Sequence, residues 1–228
     1  MQLIYKNCGI TMNQFILMIK EQNKGRKIAY MGRLDPMARG MVQILFDDEC
    51  YKMNQYIEAK KIYQVRVIVG LSTDSDDVLG ILCNKNIMEY DTCHLNKFFT
   101  QNNIMYNQKY HYYSTKQINK RKRNDMSPST HDVAIFKSHI FDRGTIETKE
   151  WVETFIKHIN MIDKSKNFRQ EEIIRQWEEI PSIIKMIEYI DVELYVSSGF
   201  FVRQHIRETM NETGIPLLCY DIHRINMV

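Results

Sequence analysis

The nine residues Gly32-Arg33-Leu34-Asp35-Pro36-Met37-Ala38-Arg39-Gly40 carry the most chemically suggestive spacing in the chain. Proline confines the residue before it to extended or turn backbone. Glycines on both sides let other groups approach the main chain closely. An aspartate on such a turn can project its carboxylate into a cleft as a nucleophile. The plainer reading is that Asp35 only shapes the turn. A second concentration of chemistry is the basic run Lys116, Lys120, Arg121, Lys122 and Arg123. Cations so clustered bind phosphates with strong salt dependence. Tyr110, Tyr112 and Tyr113 lie just before the run and can stack on bases. A solvated loop and a nuclear import signal are the competing readings; RNA binding is favoured over import. Cys8, Cys50, Cys83, Cys93 and Cys219 are scattered, with no C-x-x-C. A zinc site is therefore not expected, and a reducing compartment fits best.

Asp35 does not stand alone. The segment Gly32 to Gly40 resembles the G-x-L-D-P-x-A-x-G stretch of the TruB family of tRNA pseudouridine synthases. Further matches follow in that family's order. Lys60-Lys61-Ile62-Tyr63 resembles its K-x-Y strand. The stretch from Gly70 to Gly80, with Thr73, Asp74 and Asp77, resembles G-x-x-T-D-x-x-D-x-x-G. Tyr113-Ser114-Thr115-Lys116 is similar to Y-S-x-x-K, one residue shorter. Gly199-Phe200-Phe201-Val202-Arg203 is similar to G-T-Y-I-R, and Ile222-His223-Arg224 to a terminal L-R-R. Tyr5-Lys6 precedes a glycine and a capped helix, as in the family. The resemblance implies roles. Asp35 is the expected nucleophile on the target uridine. Tyr63 is expected to stack on the flipped base and take its C5 proton. Arg203 is expected to pair with the catalytic carboxylate, and Ile222 to line the uracil pocket. Tyr30, Arg33 and Arg224, with the basic run, complete the expected substrate-binding set. By pattern alone, Tyr63 reads as a core tyrosine among valines and Arg203 as a solvated helix arginine. The Thr73–Asp77 acids read as an ordinary polar loop.

The elements that must position these groups are partly legible. Hydrophobic residues make up 44% of the 228 and charged residues 26%, which suits one globular domain and excludes a disordered tail, a collagen-like fibre or a membrane bundle. No stretch approaches the ~18 apolar residues of a membrane span. Leu3–Tyr5 reads as a strand. Thr11 and Gln14 form a capping-box pair before the apolar positions Met12, Phe15, Ile16 and Ile19, and Gly25 is the expected C′ residue. Strands are expected over Lys27–Met31, Met41–Phe46, Ile62–Val69 and Val133–Ile140, around Val192–Val196, and over Leu217–Ile225. Thr148 should cap a helix burying Trp151, Val152, Phe155, Ile156 and Ile159. A second helix over Gln170–Glu179 should bury Ile173, Ile174 and Trp177 and end at Pro181. Phe201–Thr213 should be a helix closed by Gly214.

These features imply an α+β fold of the pseudouridine synthase catalytic type, a mixed and largely antiparallel sheet flanked by helices. The expectation is a single catalytic domain over 1–228 with a helical insertion at 142–186, either a packed appendage or a surface for a protein partner. Some features depart from the family. Tyr30 replaces the usual histidine, Arg33 replaces a small residue as in the ribosomal-RNA synthases, and two prolines before Tyr113 are missing. The chain ends soon after Arg224, so a stand-alone domain without the C-terminal PUA domain of many relatives is expected. The function implied is isomerisation of the T-loop uridine of tRNA (conventional position 55), by a cytoplasmic or nuclear monomer, with RNA as partner, no membrane, and no metal or other cofactor. The alternatives are a catalytically idle RNA-binding chaperone or ribonucleoprotein component, and an enzyme acting on ribosomal or messenger RNA.

The net charge of only +3 makes the basic run a sharp test. Neutralising Lys120, Arg121, Lys122 and Arg123 should weaken RNA binding, and each lost phosphate contact should reduce the slope of log K against log salt by roughly 0.7–0.9. If affinity and slope both hold while nuclear import fails, the run is a targeting signal.

Overall fold

A computed structural model describes residues 1–56, 58–84, 90–114 and 130–227. Among these, eight strands form one mixed sheet: β1 (Gln2–Lys6), β2 (Ile28–Met31), β3 (Ala38–Phe46), β4 (Lys61–Val69), β5 (Asn102–Lys109), β6 (Thr130–Glu147), β7 (Met186–Val196) and β8 (Leu217–Met227). The strand order is β1-β3-β8-β4-β7-β6-β5, with β2 also on β3. Every pairing is antiparallel except β3 with β8, which run parallel where Ala38, Arg39 and Gly40 meet Ile222, His223 and Arg224. The longer helices are α1 (Met12–Gln22), α2 (Thr148–Met161), α3 (Gln170–Ile183) and α4 (Val202–Thr213). None of the described helices is long and apolar enough to cross a membrane.

The period-2 alternation of the strands sorts two cores onto the two faces of the sheet. Tyr63, Val65, Val67 and Val69 of β4 point to one side, with Val192, Leu194 and Val196 of β7. There they meet Met12, Phe15 and Ile19 of α1 and Val202 and Ile206 of α4. Ile68, Ile187 and Leu218 point to the other side, where α2 and α3 cover them with Trp151, Phe155, Ile173 and Trp177. The 142–186 stretch thus supplies the end of β6 and the helical layer of the second core.

Local signals held in part. The Thr11–Gln14 capping box is present in both directions, and Gly214 closes α4 in the left-handed conformation. Helix α1 stops earlier than expected. The Asn23 side chain donates to the Ile19 carbonyl at 2.9 Å, and its N–H reaches Lys20. The helix end is therefore satisfied before Gly25. Thr148 does not cap α2: it is the first helical residue, behind Glu147, and its hydroxyl has no cap bond. Pro181 does not end α3. It forfeits one bond near the helix end, but Ile184 N–H still reaches the Ile180 carbonyl at 2.9 Å, so the last turn closes. Ile156 and Ile174 are only half-buried.

Trp177 is the keystone of the second core. It is fully buried, lies edge-on to Trp151 and Phe155 at 5.4 and 5.0 Å, and donates its indole N–H to the Val78 carbonyl at 3.1 Å. Trp177→Ala should cost about 3–5 kcal/mol in urea unfolding. A loss under about 1 kcal/mol would mean that the α2–α3 layer is not part of the cooperative unit.

Candidate active site

The loop that carries Asp35 is anchored in both cores. Leu34 is buried on the α1–α4 side and Met37 on the α2–α3 side. Asp35 and Pro36 between them stay half-exposed. The main chain here presents carbonyls inward, and two buried cations hold them. Lys6 is fully buried, and its ammonium lies 3.1 Å from the Asp35 carbonyl, 3.3 Å from Pro36, 2.7 Å from Ala38 and 3.1 Å from Asn7. Three N–H bonds serve four acceptors, so the loop and the start of β3 are tied to one point. Burial pushes the Lys6 pKa down to about 8, against the opposing influence of Cys8 and Asp35. Arg224 donates to the carbonyls of Met41 at 2.7 Å, Gly32 at 2.8 Å and Arg33 at 3.4 Å. Gly40 is required beside it: at φ +125° a Cβ would lie 2.1 Å from the Arg224 carbonyl oxygen.

Arg203 enters from the first turn of α4, directly after the Gly199 turn. Its Nε lies 2.9 Å from Asp35 Oδ2. Its Nη1 donates to the Ser75 carbonyl at 3.0 Å and lies 3.5 Å from Asp77 Oδ2. The Arg203 side chain is 9% exposed and that of Asp35 42%. The buried guanidinium thus holds a carboxylate whose other side is open. Burial alone would lower the Arg203 pKa; Asp35 and Asp77 outweigh it and raise it. Burial pushes the Asp77 carboxyl up, opposed chiefly by Arg203. Ser75 Oγ and the Leu79 N–H donate to Asp77 Oδ1 at 2.7 and 3.0 Å.

The Thr73–Asp77 stretch is not a solvated loop. Thr73, Ser75, Asp76 and Asp77 are buried. Asp76, in left-handed backbone at φ 60°, accepts from His111 at 2.8 Å and from Arg207 at 2.6 Å. Burial lowers the His111 pKa against the pull of Asp76. Pairing with distant cations explains this burial, and nothing in the local sequence announces it. Lys6 was missed as a site residue for the same reason; the only sequence signal was the Tyr5-Lys6 match.

Tyr63 is 7% exposed and shares a buried cluster with Leu34, Ala38, Phe200 and Ile222. Ile222 faces Ala38 in register. Tyr30 is half-buried and packs against this core, and its hydroxyl accepts from the exposed Arg33 at 2.9 Å. Arg224, expected among the substrate-binding residues, is instead 0% exposed and committed to main-chain carbonyls, so its place here is to shape the loop. Of the three tyrosines expected to stack on bases, Tyr110 already stacks on His131 at 4.2 Å and Tyr113 donates its hydroxyl to Asp74, while Tyr112 is 55% exposed. Lys116, Lys120, Arg121, Lys122 and Arg123 lie outside the described residues. Among the described residues, no three His, Cys, Asp or Glu side chains gather as a metal site would need.

A half-exposed carboxylate on a fixed loop, charge-paired to a buried arginine and beside an aromatic and aliphatic wall, is the equipment of a nucleophilic site for a planar substrate. The model of the TruB family pseudouridylate synthase N-terminal domain matches residues 20–173, and the chain belongs to that family. The tRNA pseudouridine synthase B of Clostridium perfringens strain 13 is 31% identical over 94 residues, which are 41% of this chain and 31% of that protein. The tRNA pseudouridine synthase B of Mycoplasmopsis pulmonis is 35% identical over 96 residues, 42% of this chain and 34% of that protein. The chain thus matches about a third of the length of these curated relatives. A chain in the crystal structure of a Cbf5-Nop10-Gar1 complex superposes with a TM-score of 0.55 at 11% identity, covering 98% of this chain and 47% of that one. The archaeal box H/ACA sRNP Nop10-Cbf5 complex gives a TM-score of 0.52 at 12% identity, covering 96% and 45%. These two likenesses establish the fold.

The Lys6 clamp has a pH signature. Between its folded pKa of about 8 and its ordinary 10.5, Lys6 is neutral in the fold and charged in the unfolded chain. The unfolded state binds the extra proton there, so stability rises with pH across that interval. The stability of the parent minus that of Lys6→Met, from urea melts, should therefore increase from about pH 8 to 10.5, by an amount on the order of 3 kcal/mol. A flat or falling difference would show that the fold does not desolvate this ammonium.

Proposed function

We propose that the chain is an RNA pseudouridine synthase that isomerises a uridine, with the T-loop uridine of tRNA (position 55) as its substrate. The observation that carries this is the Asp35–Arg203 pair, 2.9 Å long with its arginine buried and its aspartate open on one side. The reaction breaks the N1–C1′ bond, turns the base and forms a C5–C1′ bond; C5 gives up its proton and N1 gains one. The reacting atoms are covered in a stacked helix, so the target nucleotide leaves the stack. Asp35 is the nucleophile. Arg203 supplies its counter-charge and fixes its orientation through a charge-assisted contact. The detached uracil is held during rotation by the Tyr63 ring and the Ile222 wall, and Tyr63 takes the C5 proton. The exposed Arg33, braced by the half-buried Tyr30, is offered to the RNA backbone, and the basic run adds phosphate contacts.

Incubation with an unmodified tRNA transcript, followed by pseudouridine mapping, tests this directly. The parent should convert one T-loop uridine. Asp35→Asn should form no product, because an amide is not a competent nucleophile, while RNA affinity stays within about twofold. Arg203→Met should lose rate far more than affinity; removing one partner of a buried pair costs roughly 3–5 kcal/mol, some of it seen as a lower melting temperature. Substantial turnover by Asp35→Asn sinks the assignment. Tight RNA binding by a parent that converts nothing would favour the idle RNA-binding reading.

A further inference from the structure

The α2–α3 layer does more than cover the back of the sheet, because α3 and the turn before it touch the 74–82 loop at three successive points. Arg169 makes a two-pronged contact with Asp74, Nη1 to Oδ2 at 2.6 Å and Nη2 to Oδ1 at 3.2 Å. Trp177 donates to the Val78 carbonyl at 3.1 Å. Gln176 accepts from the Leu82 N–H at 3.0 Å. The opposite side of the same loop is held by α4: Arg203 takes the Ser75 carbonyl and faces Asp77, while Arg207 bonds the Asp74 carbonyl at 2.9 Å and Asp76 at 2.6 Å. The loop is thus a slat between two helices, and its inner edge is what Arg203 leans on when it reaches Asp35.

We propose that Arg169 is a positioning residue for the active site, acting through Asp74 and the 74–77 turn to fix the Arg203 guanidinium against Asp35. This rests on the isomerase reading above. The Arg169 and Asp74 side chains are 36% and 31% exposed, and a pair that wet adds little to stability. Arg169 stands just before α3 in left-handed backbone, φ 61°, a conformation uncommon for a non-glycine residue. What the contact supplies is placement. Burial would raise the Asp74 carboxyl, but the Arg169 and Ile81 contacts hold it below its ordinary range, so the carboxylate is present as a charged partner. Tyr113 donates to the same Asp74 oxygen at 3.1 Å, which fixes the guanidinium, carboxylate and phenol as one unit. Gln176 and Trp177 hold the far end of the loop independently, and without Arg169 the Asp74 end keeps Tyr113, Arg207 and the Ile81 N–H, so its removal loosens the 74–77 turn without detaching it.

The test compares the parent with Arg169→Met, Arg169→Lys and Asp74→Asn by three measurements: single-turnover rate on saturating tRNA transcript, equilibrium RNA affinity, and amide hydrogen exchange. Arg169→Met should slow the single-turnover step about tenfold, as a small misplacement of a reacting pair does, with RNA affinity within about twofold. Exchange should quicken in the 74–77 turn and nowhere else. Arg169→Lys should recover part of the rate, and Asp74→Asn combined with Arg169→Met should be no slower than either alone. Parent-like rate in Arg169→Met overturns the proposal, as does a rate loss that simply tracks RNA affinity. If the parent itself converts no RNA, the isomerase reading fails and exchange alone decides: quickening confined to 74–77 upholds the clamp, and unchanged exchange removes it.

Discussion

A guanidinium that gives up its water must recover that solvation inside the protein, and the Arg203 side chain is the case around which this molecule is arranged. It is 9% exposed, and what replaces its hydration is the Asp35 carboxylate, the Ser75 carbonyl and the Asp77 carboxylate. These partners come from two loops separated in sequence. The requirement that all three converge on one cation sets where the 32–37 loop and the 73–77 loop can lie. Burial pushes the Asp77 carboxyl up even with Arg203 beside it, while Asp35 and Asp77 together outweigh the burial of Arg203 and keep that guanidinium charged. Asp35 completes the set from the solvent side. It is bound firmly enough to be oriented and left open enough to meet a substrate.

That convergence needs a rigid frame, and the sheet supplies it through one unusual pairing. All strand contacts are antiparallel except the short parallel meeting of Ala38–Gly40 with Ile222–Arg224. A parallel contact there lets β3 leave the Asp35 loop directly alongside β8. Ile222 thus comes beside the loop on the apolar face, and the Arg224 guanidinium reaches the carbonyls of Gly32 and Arg33. Lys6, opposite Gly40 on β1, performs the same service from the other edge. Two buried cations thus fix the backbone that carries Asp35. Such interior charges are expensive to desolvate. They are tolerated because each satisfies several carbonyls that a tight, irregular loop would otherwise leave unpaired.

This division explains what the sequence could and could not disclose. Gly32 to Gly40 was readable because a turn, a proline and close backbone approach leave local signatures. The Thr11–Gln14 cap and the β4 alternation were readable for similar reasons. Tyr63 and Arg203 were ambiguous: alone, one looks like core and the other like surface, and only the ordered set of short matches distinguished them. The structural parts of Lys6, Arg224 and the buried Asp76 and Asp77 were opaque, although Arg224 was expected to bind substrate and Asp77 fell within a family match. Their environments are made by strand register and by helices far along the chain, which no window of neighbouring residues contains. Pro181 misled for the opposite reason. Its local rule is sound in a helix interior, but in the last turn one missing bond is absorbed by the closing Ile180–Ile184 contact.

The two-sided burial of the sheet bears on how such a site keeps its geometry when a polyanion binds. On the proposed function, phosphates near Arg33 would pull on a residue whose main chain is already tied inward by Arg224, and whose neighbours Leu34 and Met37 sit in opposite cores. Displacing the loop toward the ligand would withdraw one of these side chains from its core and uncover the Lys6 ammonium, so the free-energy gradient opposes it from both faces. The loop behaves as a bridge pinned at each end, with Asp35 at mid-span. On the proposed function, an ion pair placed there would respond to a bound base more than to the charge of the RNA around it, which is the separation a nucleophile needs in an electrostatically crowded interface.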